Sequence, residues 1–506
     1  MRIKNAFRNS FFSVISQIIL IIVGFFCQRV MNLRLGEELV GMNGVISNII
    51  ALLSVTELGV STAVIFHLYG ALAKQDEKLI ASLMNLYRKA YTIFFVIITV
   101  LGLCVLPFVH LVMKENSFSI GYIRLIYILW LLRTSLSYLL SYKRSILIAD
   151  QKEYIVSIGL LIANVLNYSL IIVIVELWQN YALALGVNIV VEIIMNFILT
   201  RYVDKKYRYL RELRKEPLQE NLFEKVFGDI KNIFVTRISA KVLLSTDSLI
   251  ISGFISVGLV GLYSNYCMIT QSLTNVLVSL SNALQPTVGN MFTEGDHEKE
   301  YGVLRQITFI FFWIASFCAT SLLTLMTPFV SDIWLGNAYV LQTEIVAWCV
   351  INFYTNIITM PLNMMMGVTG LFKKERNISV VAAVINLVLS LILVQFLGVV
   401  GVLLGTFAAY IVQFIFRMRV LIMQYMKMQC KKYVCELLSY IIVSVIEVIA
   451  VYWVSQYIYT TANLINFCVL MILCVIVPNG LNLLLFCKTW RFQSVFGMVH
   501  DIKRQK

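Results

Sequence analysis

Charge is scarce in this sequence. Asp, Glu, Lys and Arg make up 13% of its 506 residues, about half the share found in soluble globular proteins. Proline is nearly absent, at six residues, and no Gly/Ser-rich tract separates one region from another. That argues against a string of soluble domains. Histidine occurs four times, never at ligand spacing from a cysteine or carboxylate, so no metal site is expected. The ten cysteines include no CxxC and no pairing pattern. Cys27, Cys104, Cys267, Cys318, Cys349, Cys468 and Cys474 lie in apolar runs and read as small buried hydrophobes. P-loop, Gly-rich nucleotide turn, paired-aspartate sugar-nucleotide motif and GxSxG are all missing, which argues against ATP hydrolysis or other enzyme chemistry in this chain. We expect no cofactor. Residues 11–31 are too long for a signal-peptide core, and no small-residue cleavage site follows them.

What the sequence has is hydrophobicity, 59% of residues, gathered in blocks of roughly 20 or more. That length spans about 30 Å of hydrocarbon at 1.5 Å per residue. The expected fold is an all-α polytopic membrane protein with fourteen spans: 11–31, 39–68, 89–113, 119–141, 154–176, 181–203, 233–255, 257–292, 304–330, 338–366, 377–397, 398–416, 433–456 and 463–486. The break at 396–400 has no polar loop. The longest loop, 204–232, separates six spans from eight. The expected organisation is therefore an N-terminal six-helix bundle (1–203), a linker (204–232), a second six-helix bundle (233–416), and two extra helices with a basic tail (417–506).

The net charge of +14 resides mostly in the loops, which points to a membrane rather than to nucleic acid. With the N-terminus placed inside, 34 of the 41 Lys and Arg residues fall in cytoplasmic segments, and only Arg29, Arg34 and Lys114 fall outside. The expected location is the cytoplasmic membrane with both termini cytoplasmic. Trp178 and Trp334 then lie beside external loops and Trp490 beside an internal one, as interfacial aromatics do.

Charged side chains inside spans are costly and face a cavity or a partner. Here they include Glu57, Arg124, Arg133, Glu192, Arg237, Lys241, Asp247, Glu344 and Glu447. In span 39–68, Asn43, Ser47, Ser54, Glu57 and Ser61 share one helical face. This is either a wet cavity wall or a helix–helix seam of small polar residues. In span 257–292, Ser264, Gln271, Asn275, Ser279, Asn282 and Gln285 form a second stripe, with amides suited to sugar hydroxyls. In span 233–255, Arg237 and Lys241 lie one turn apart on a face continued by Ser245, Ser248 and Ser252. They could hold a pyrophosphate, Arg by its fork and Lys as a point charge, or snorkel to the interface. Asp247 could bind a coupling ion or pair with a basic neighbour. Arg29 is open to the same two readings as the basic pair, and Arg133 near mid-span is harder to explain as snorkelling. Glu192 and Glu447 are lone carboxylates whose partners sequence does not assign.

Several stretches resemble the Gram-positive branch of the Wzx-type polysaccharide flippases, in the multidrug/oligosaccharidyl-lipid/polysaccharide exporter superfamily. They are LGEELVGMNGVISNIIALLSVTELGVSTAVIFHLYGALAKQD at 35–76, LIADQKEY at 147–154, TDSLIIS at 246–252, VGLYSNYCMITQSLTNVLVSLSNALQPTVGNMFTEGD at 260–296 and DIWLGNAYVL at 332–341. The resemblance implies a V-shaped pair of six-helix bundles working by alternating access. It implies an undecaprenyl-pyrophosphate-linked oligosaccharide as substrate, and glycan polymerase and glycosyltransferases of the same pathway as partners. It further implies a cationic cavity lined by the first, second, seventh and eighth spans, which here carry Arg29, Glu57, Arg237, Lys241, Asp247 and the 264–285 stripe. For ion coupling the candidates are Asp247, Glu57 and Glu192. Arg29 lies too near the external end to hold a central pyrophosphate in an inward-facing state. The alternatives are a peptidoglycan-precursor flippase, a cation-coupled drug exporter of the same superfamily, or a membrane glycan polymerase or ligase. The last usually needs a large external loop, and none is present.

Overall fold

Backbone buried in hydrocarbon must satisfy its own hydrogen bonds, and a helix does so within one segment. The long apolar runs of this chain are accordingly helical. The computed structural model describes residues 2–54, 60–114, 117–150, 152–213, 238–239, 241–242, 245–291, 296–458 and 464–494. In order, the helices are α1 (Arg2–Leu53), α2 (Val60–Ala73), α3 (Glu77–Val105), α4 (Ile120–Ser141), α5 (Arg144–Ala149), α6 (Glu153–Trp178), α7 (Tyr181–Lys206), α8 (Tyr209–Glu212), α9 (245–254) and α10 (Val257–Met291). They continue as α11 (His297–Pro328), α12 (Thr343–Val368), α13 (Phe372–Leu397), α14 (Val399–Met418), α15 (Cys430–Ile458) and α16 (Leu464–Phe486). No strand occurs among the described residues. Polar caps mark several starts. The side chains of Asp76, Asn180 and Asp296 accept from the backbone N–H groups of Leu79, Leu183 and Glu298, leaving fewer orphan donors in the first turn.

Eleven helical runs among the described residues are long and apolar enough to cross a membrane. The fourteen expected spans differ from these for three reasons. The first span and the start of the second run on within α1, broken only at Gly36, whose φ of 82° is left-handed and non-helical. Much of 233–255 lies outside the described residues. Helix α10 forms as expected, but its polar stripe keeps it from being apolar throughout. The doubtful break at 396–400 is a single residue, Gly398, with φ 56° between α13 and α14. Large apolar side chains point outward, among them Val96 and Val100 on α3 and Ile442, Ile446 and Ile449 on α15, as lipid-facing positions require. All ten cysteines are unpaired. Cys104 and Cys468, expected to be buried, are exposed on their helices instead.

The chain packs as two compact units, one ending at Ser264 and the other beginning at Asn265. In the first, α1 packs on α6, α6 on α7 and α7 on α4. In the second, α13 and α14 form the tightest pair, and α11 packs against α12, α15 and α16. Glycine permits the α13–α14 approach. A Cβ added at Gly401 would lie 2.3 Å from the carbonyl oxygen of Leu393, and one at Gly405 would lie 2.2 Å from Ser390 Oγ. The close contact lets Asn386 Nδ2 donate to Thr406 Oγ1 at 2.9 Å and Ser390 Oγ to the Val402 carbonyl at 3.2 Å. Gly401→Ala should therefore destabilise the purified protein by about 1–3 kcal/mol or more, the range for overpacking. Gly302→Ala, with nothing within 4 Å of the new methyl, should leave the thermal midpoint unchanged or slightly raised. Equal midpoints for both variants would show that the α13–α14 approach is not tight.

Candidate functional site

The polar interior of the first unit is assembled from α1, α4 and α7. Trp130 and Arg133 lie three residues apart on α4, hence on one face. The Trp130 indole N–H donates to Asn43 Oδ1 on α1 at 2.9 Å, and the Tyr181 hydroxyl of α7 donates to the same oxygen at 2.5 Å. The Arg133 guanidinium lies 5.2 Å from the centre of the Trp130 ring, within cation–π range. Its Nε donates to Glu192 Oε2 on α7 at 2.7 Å. The two side chains are 25% and 27% exposed. Among the described residues, Nε is the only guanidinium nitrogen with a protein acceptor. The Nη groups therefore remain able to donate to an anion, and guanidinium geometry matches two phosphate oxygens.

Glu192 belongs to a line on α7. Asn188 and Asn196, one turn to either side, are buried, and neither Oδ1 has a hydrogen-bond partner among the described residues. The i, i+4, i+8 spacing of Asn188, Glu192 and Asn196 was legible in the sequence, yet Glu192 alone was singled out there. Trp130 and Tyr181 were missed because their roles depend on neighbours distant in sequence.

The other sequence candidates divide. Ser47 and Ser54 donate back to the carbonyls of Gly44 and Ile50 on their own helix, each at 2.8 Å. Such back-bonding satisfies a hydroxyl without water. It favours the seam reading for that part of the stripe, while Asn43 joins the Arg133 cluster. Glu57 and Arg237 lie outside the described residues. Lys241 is half-buried, and Ser245 and Ser252 on the expected continuation of its face are buried. Asp247 is buried and has an interaction partner. Arg29 is exposed and also engaged, while its neighbour Arg34 pairs with Glu176 at 2.6 Å. On α10, Gln271, Asn275 and Asn282 are exposed, with Gln271 Nε2 donating to Asn275 Oδ1 at 2.9 Å. Among the described residues no three His, Cys, Asp or Glu side chains converge as a metal site would need.

The second unit holds a different feature, an apolar groove of about 490 Å³. It is bounded by α11, α12, α14 and α15, with Leu323, Ile351, Phe407, Phe414, Ile441 and Val445 among its lining. Its few polar side chains include Tyr354 and Ser444, which bond one another at 3.1 Å. The lining therefore offers dispersion contact and little hydrogen bonding.

The sequence matches no protein-family model and no curated protein. Solved structures share the fold. The chain is similar to the lipid II flippase MurJ in an inward closed conformation, at TM-score 0.70 and 15% identity over 94% of this chain and 98% of that one. It is also similar to an inward-facing multidrug resistance MATE transporter of the MOP superfamily, at TM-score 0.66 and 12% identity over 81% and 98%. A third likeness is to a MOP superfamily transporter from Pyrococcus furiosus described as having a binding pocket of reversed polarity, at TM-score 0.59 and 14% identity over 84% and 97%.

Proposed function

We propose that this chain is a flippase that moves an undecaprenyl-pyrophosphate-linked oligosaccharide repeat unit across the cytoplasmic membrane for polysaccharide export. The observation that carries the lipid-linked part of this reading is the groove of about 490 Å³ in the second unit. Its apolar lining, with scarce polar groups, suits a polyprenyl chain better than a hydrated drug cation. The Arg133 guanidinium, with donors to spare, supplies the charge a pyrophosphate needs. The exposed amides Gln271, Asn275 and Asn282 offer both donors and acceptors to sugar hydroxyls. Lys241 and Arg29 are further basic candidates from the sequence, as is Arg237, which lies outside the described residues. The likeness to MurJ and MATE structures supports a transporter fold.

The mechanism follows from these parts. Guanidinium and ammonium groups suit phosphates, amides suit a glycan and apolar surface suits a lipid tail, and alternating access would move such an amphiphile with no bond made or broken. We place both termini in the cytoplasm, a reading supported by the distribution of Lys and Arg. A polymerase and glycosyltransferases would supply and consume the substrate.

The likeness to a lipid II flippase favours a second reading, a peptidoglycan precursor. Both substrates share the lipid pyrophosphate and differ in the glycan. Proteoliposomes carrying a fluorescent lipid-pyrophosphate oligosaccharide should show protein-dependent loss of quencher protection. Excess unlabelled repeat unit should compete better than excess peptidoglycan precursor. The reverse order selects the second reading. Movement of a cationic dye without movement of either lipid would sink both.

A further inference from the structure

A polar cavity of about 330 Å³ lies in the first unit where α3, α4, α7 and α8 meet. None of Asn43, Trp130, Arg133, Tyr181 and Glu192 lines it. Asn85 and Arg88 reach it from α3, Lys143 from the turn between α4 and α5, Asp204 from the last turn of α7 and Leu210 from α8. Lys143 Nζ donates to Asp204 Oδ1 at 2.5 Å. These two side chains are 19% and 13% exposed, so the pair is shielded from bulk water and its charges offset one another. Arg88 has no such counterpart. Its carbonyl accepts from Thr92 Oγ1 within α3, while its half-buried guanidinium meets no acceptor among the described residues. The lining therefore holds two cations, Arg88 and Lys143, against one carboxylate, Asp204. Asn85 Nδ2 donates to the Leu213 carbonyl at 3.0 Å, tying α3 to the residue after α8.

A guanidinium that has lost part of its water without gaining an acceptor is stabilised by an anion. We propose that this cavity binds a phosphodiester with a single negative charge and a neighbouring hydroxyl, as in a glycerol headgroup. The Arg88 fork matches two phosphate oxygens, and the Lys143 ammonium keeps donors after giving one to Asp204. The other oxygen of Asp204 has no hydrogen-bond partner among the described residues and accepts from the hydroxyl. The same carboxylate repels a second negative charge. An excess of one cation thus matches a phosphodiester and not a pyrophosphate. Two sources carry this chemistry, the headgroup of an anionic phospholipid and a soluble phosphodiester. The height of the cavity favours the lipid. Arg88 stands three residues before Tyr91, where the apolar run of α3 begins. On α7, exposed Arg201 lies 4.8 Å from the Phe197 ring and is followed by exposed Tyr202, the basic and aromatic pairing of a membrane interface. Basic pockets between spans at that height suit lipid phosphates. The site requires nothing of the flippase reading, and its failure would leave that reading untouched.

The test is native mass spectrometry of the delipidated full chain in detergent. The added ligands are phosphatidylglycerol, phosphatidylethanol and glycerophosphoglycerol, the last being the phosphatidylglycerol headgroup without its acyl chains. Wild type should bind phosphatidylglycerol saturably, and Arg88→Gln should weaken that binding about 10- to 100-fold, the worth of a hydrogen bond from a charged donor. Arg201→Gln, a charge removed from the exposed face of α7, should leave the affinity unchanged. Phosphatidylethanol has the phosphodiester but no headgroup hydroxyl, and it should bind wild type more weakly than phosphatidylglycerol. Saturation by glycerophosphoglycerol that is lost in Arg88→Gln identifies a soluble phosphodiester as sufficient. Saturation by phosphatidylglycerol alone identifies the lipid headgroup. Equal affinities of wild type and Arg88→Gln for every ligand would overturn the site. An equal fall in Arg201→Gln would overturn it too, by showing diffuse attraction to a basic surface. Equal binding of the two lipids would remove Asp204 from it. Should Arg88→Gln fail to fold, Arg88→Lys keeps the charge without the fork, and wild-type affinity in that variant counts equally against the proposal.

Discussion

Arg133→Lys should cut lipid-pyrophosphate transport about 10- to 100-fold while leaving the fold intact. A hydrogen bond from a charged donor is worth about 1.5–3 kcal/mol, which corresponds to that range in an equilibrium constant. Lysine retains the charge beside Glu192 and can retain the ion pair. It cannot reproduce the planar fork whose Nη groups remain available when Nε is engaged with Glu192. Arg133→Gln alone is a poorer probe, because it leaves the Glu192 carboxylate without its partner. The double variant Arg133→Gln, Glu192→Gln removes both charges together and should fold. In it, binding of a lipid-pyrophosphate analogue should fall as far as in Arg133→Lys, or further. The measurement is analogue binding to purified protein alongside export of repeat units in cells. Wild-type affinity in both variants would make Arg133 and Glu192 a structural pair and move the pyrophosphate to Lys241 and Arg237.

Glu436→Ala should be the most destabilising single change in the second unit, at about 3–5 kcal/mol, the cost of stranding a buried charge. Glu436 on α15 serves two arginines. Arg305 Nε of α11 donates to its Oε2 at 2.9 Å, and Arg305 Nη2 pairs with its other oxygen. Arg491 Nη2 reaches Oε1 at 3.0 Å, and its Nη1 donates to the Tyr440 hydroxyl at 2.9 Å. Arg305 is also 4.7 Å from the Trp490 ring. Removing the carboxylate leaves two guanidinium groups buried side by side without an anion. The thermal midpoint and the monodisperse fraction in detergent should both drop. A triple variant, Arg305→Leu, Glu436→Met, Arg491→Leu, should recover much of the loss, since an apolar replacement of a buried ion cluster is often neutral or better. If Glu436→Ala unfolds with the wild-type midpoint, the cluster is more solvated than its burial implies.

Much of the architecture was legible because lipid is an undemanding solvent for pattern reading. A chain that must satisfy its backbone in hydrocarbon has little choice but helix, so apolar runs such as those of α6, α7, α13 and α15 could be bounded to within a few residues. Polar stripes at helical spacing were legible for the same reason, and Asn43 was picked out on that ground, while Arg133 stood out as a charge near mid-span. Position along a helix, however, does not say what a side chain meets. Ser47 and Ser54 share the face of Asn43, yet they bond to their own helix while Asn43 binds Trp130 and Tyr181. Trp334 looked like an interfacial anchor, but it is buried and stacked 5.6 Å from Phe329.

Sequence alone established the helical class, the charge asymmetry of the loops and the short list of intramembrane charges, since each follows from local solvation cost. Which of those charges pair was decided in three dimensions. Glu192 and Glu447 are alike in sequence, single carboxylates in apolar helices. Packing gives Glu192 a guanidinium 2.7 Å away, 59 residues distant along the chain. The same physics buries Glu447 with Ser316 of α11 beside its carboxyl and, among the described residues, no basic side chain acting on it. Helix–helix contacts bring together residues far apart in sequence, and no local pattern encodes which faces will meet.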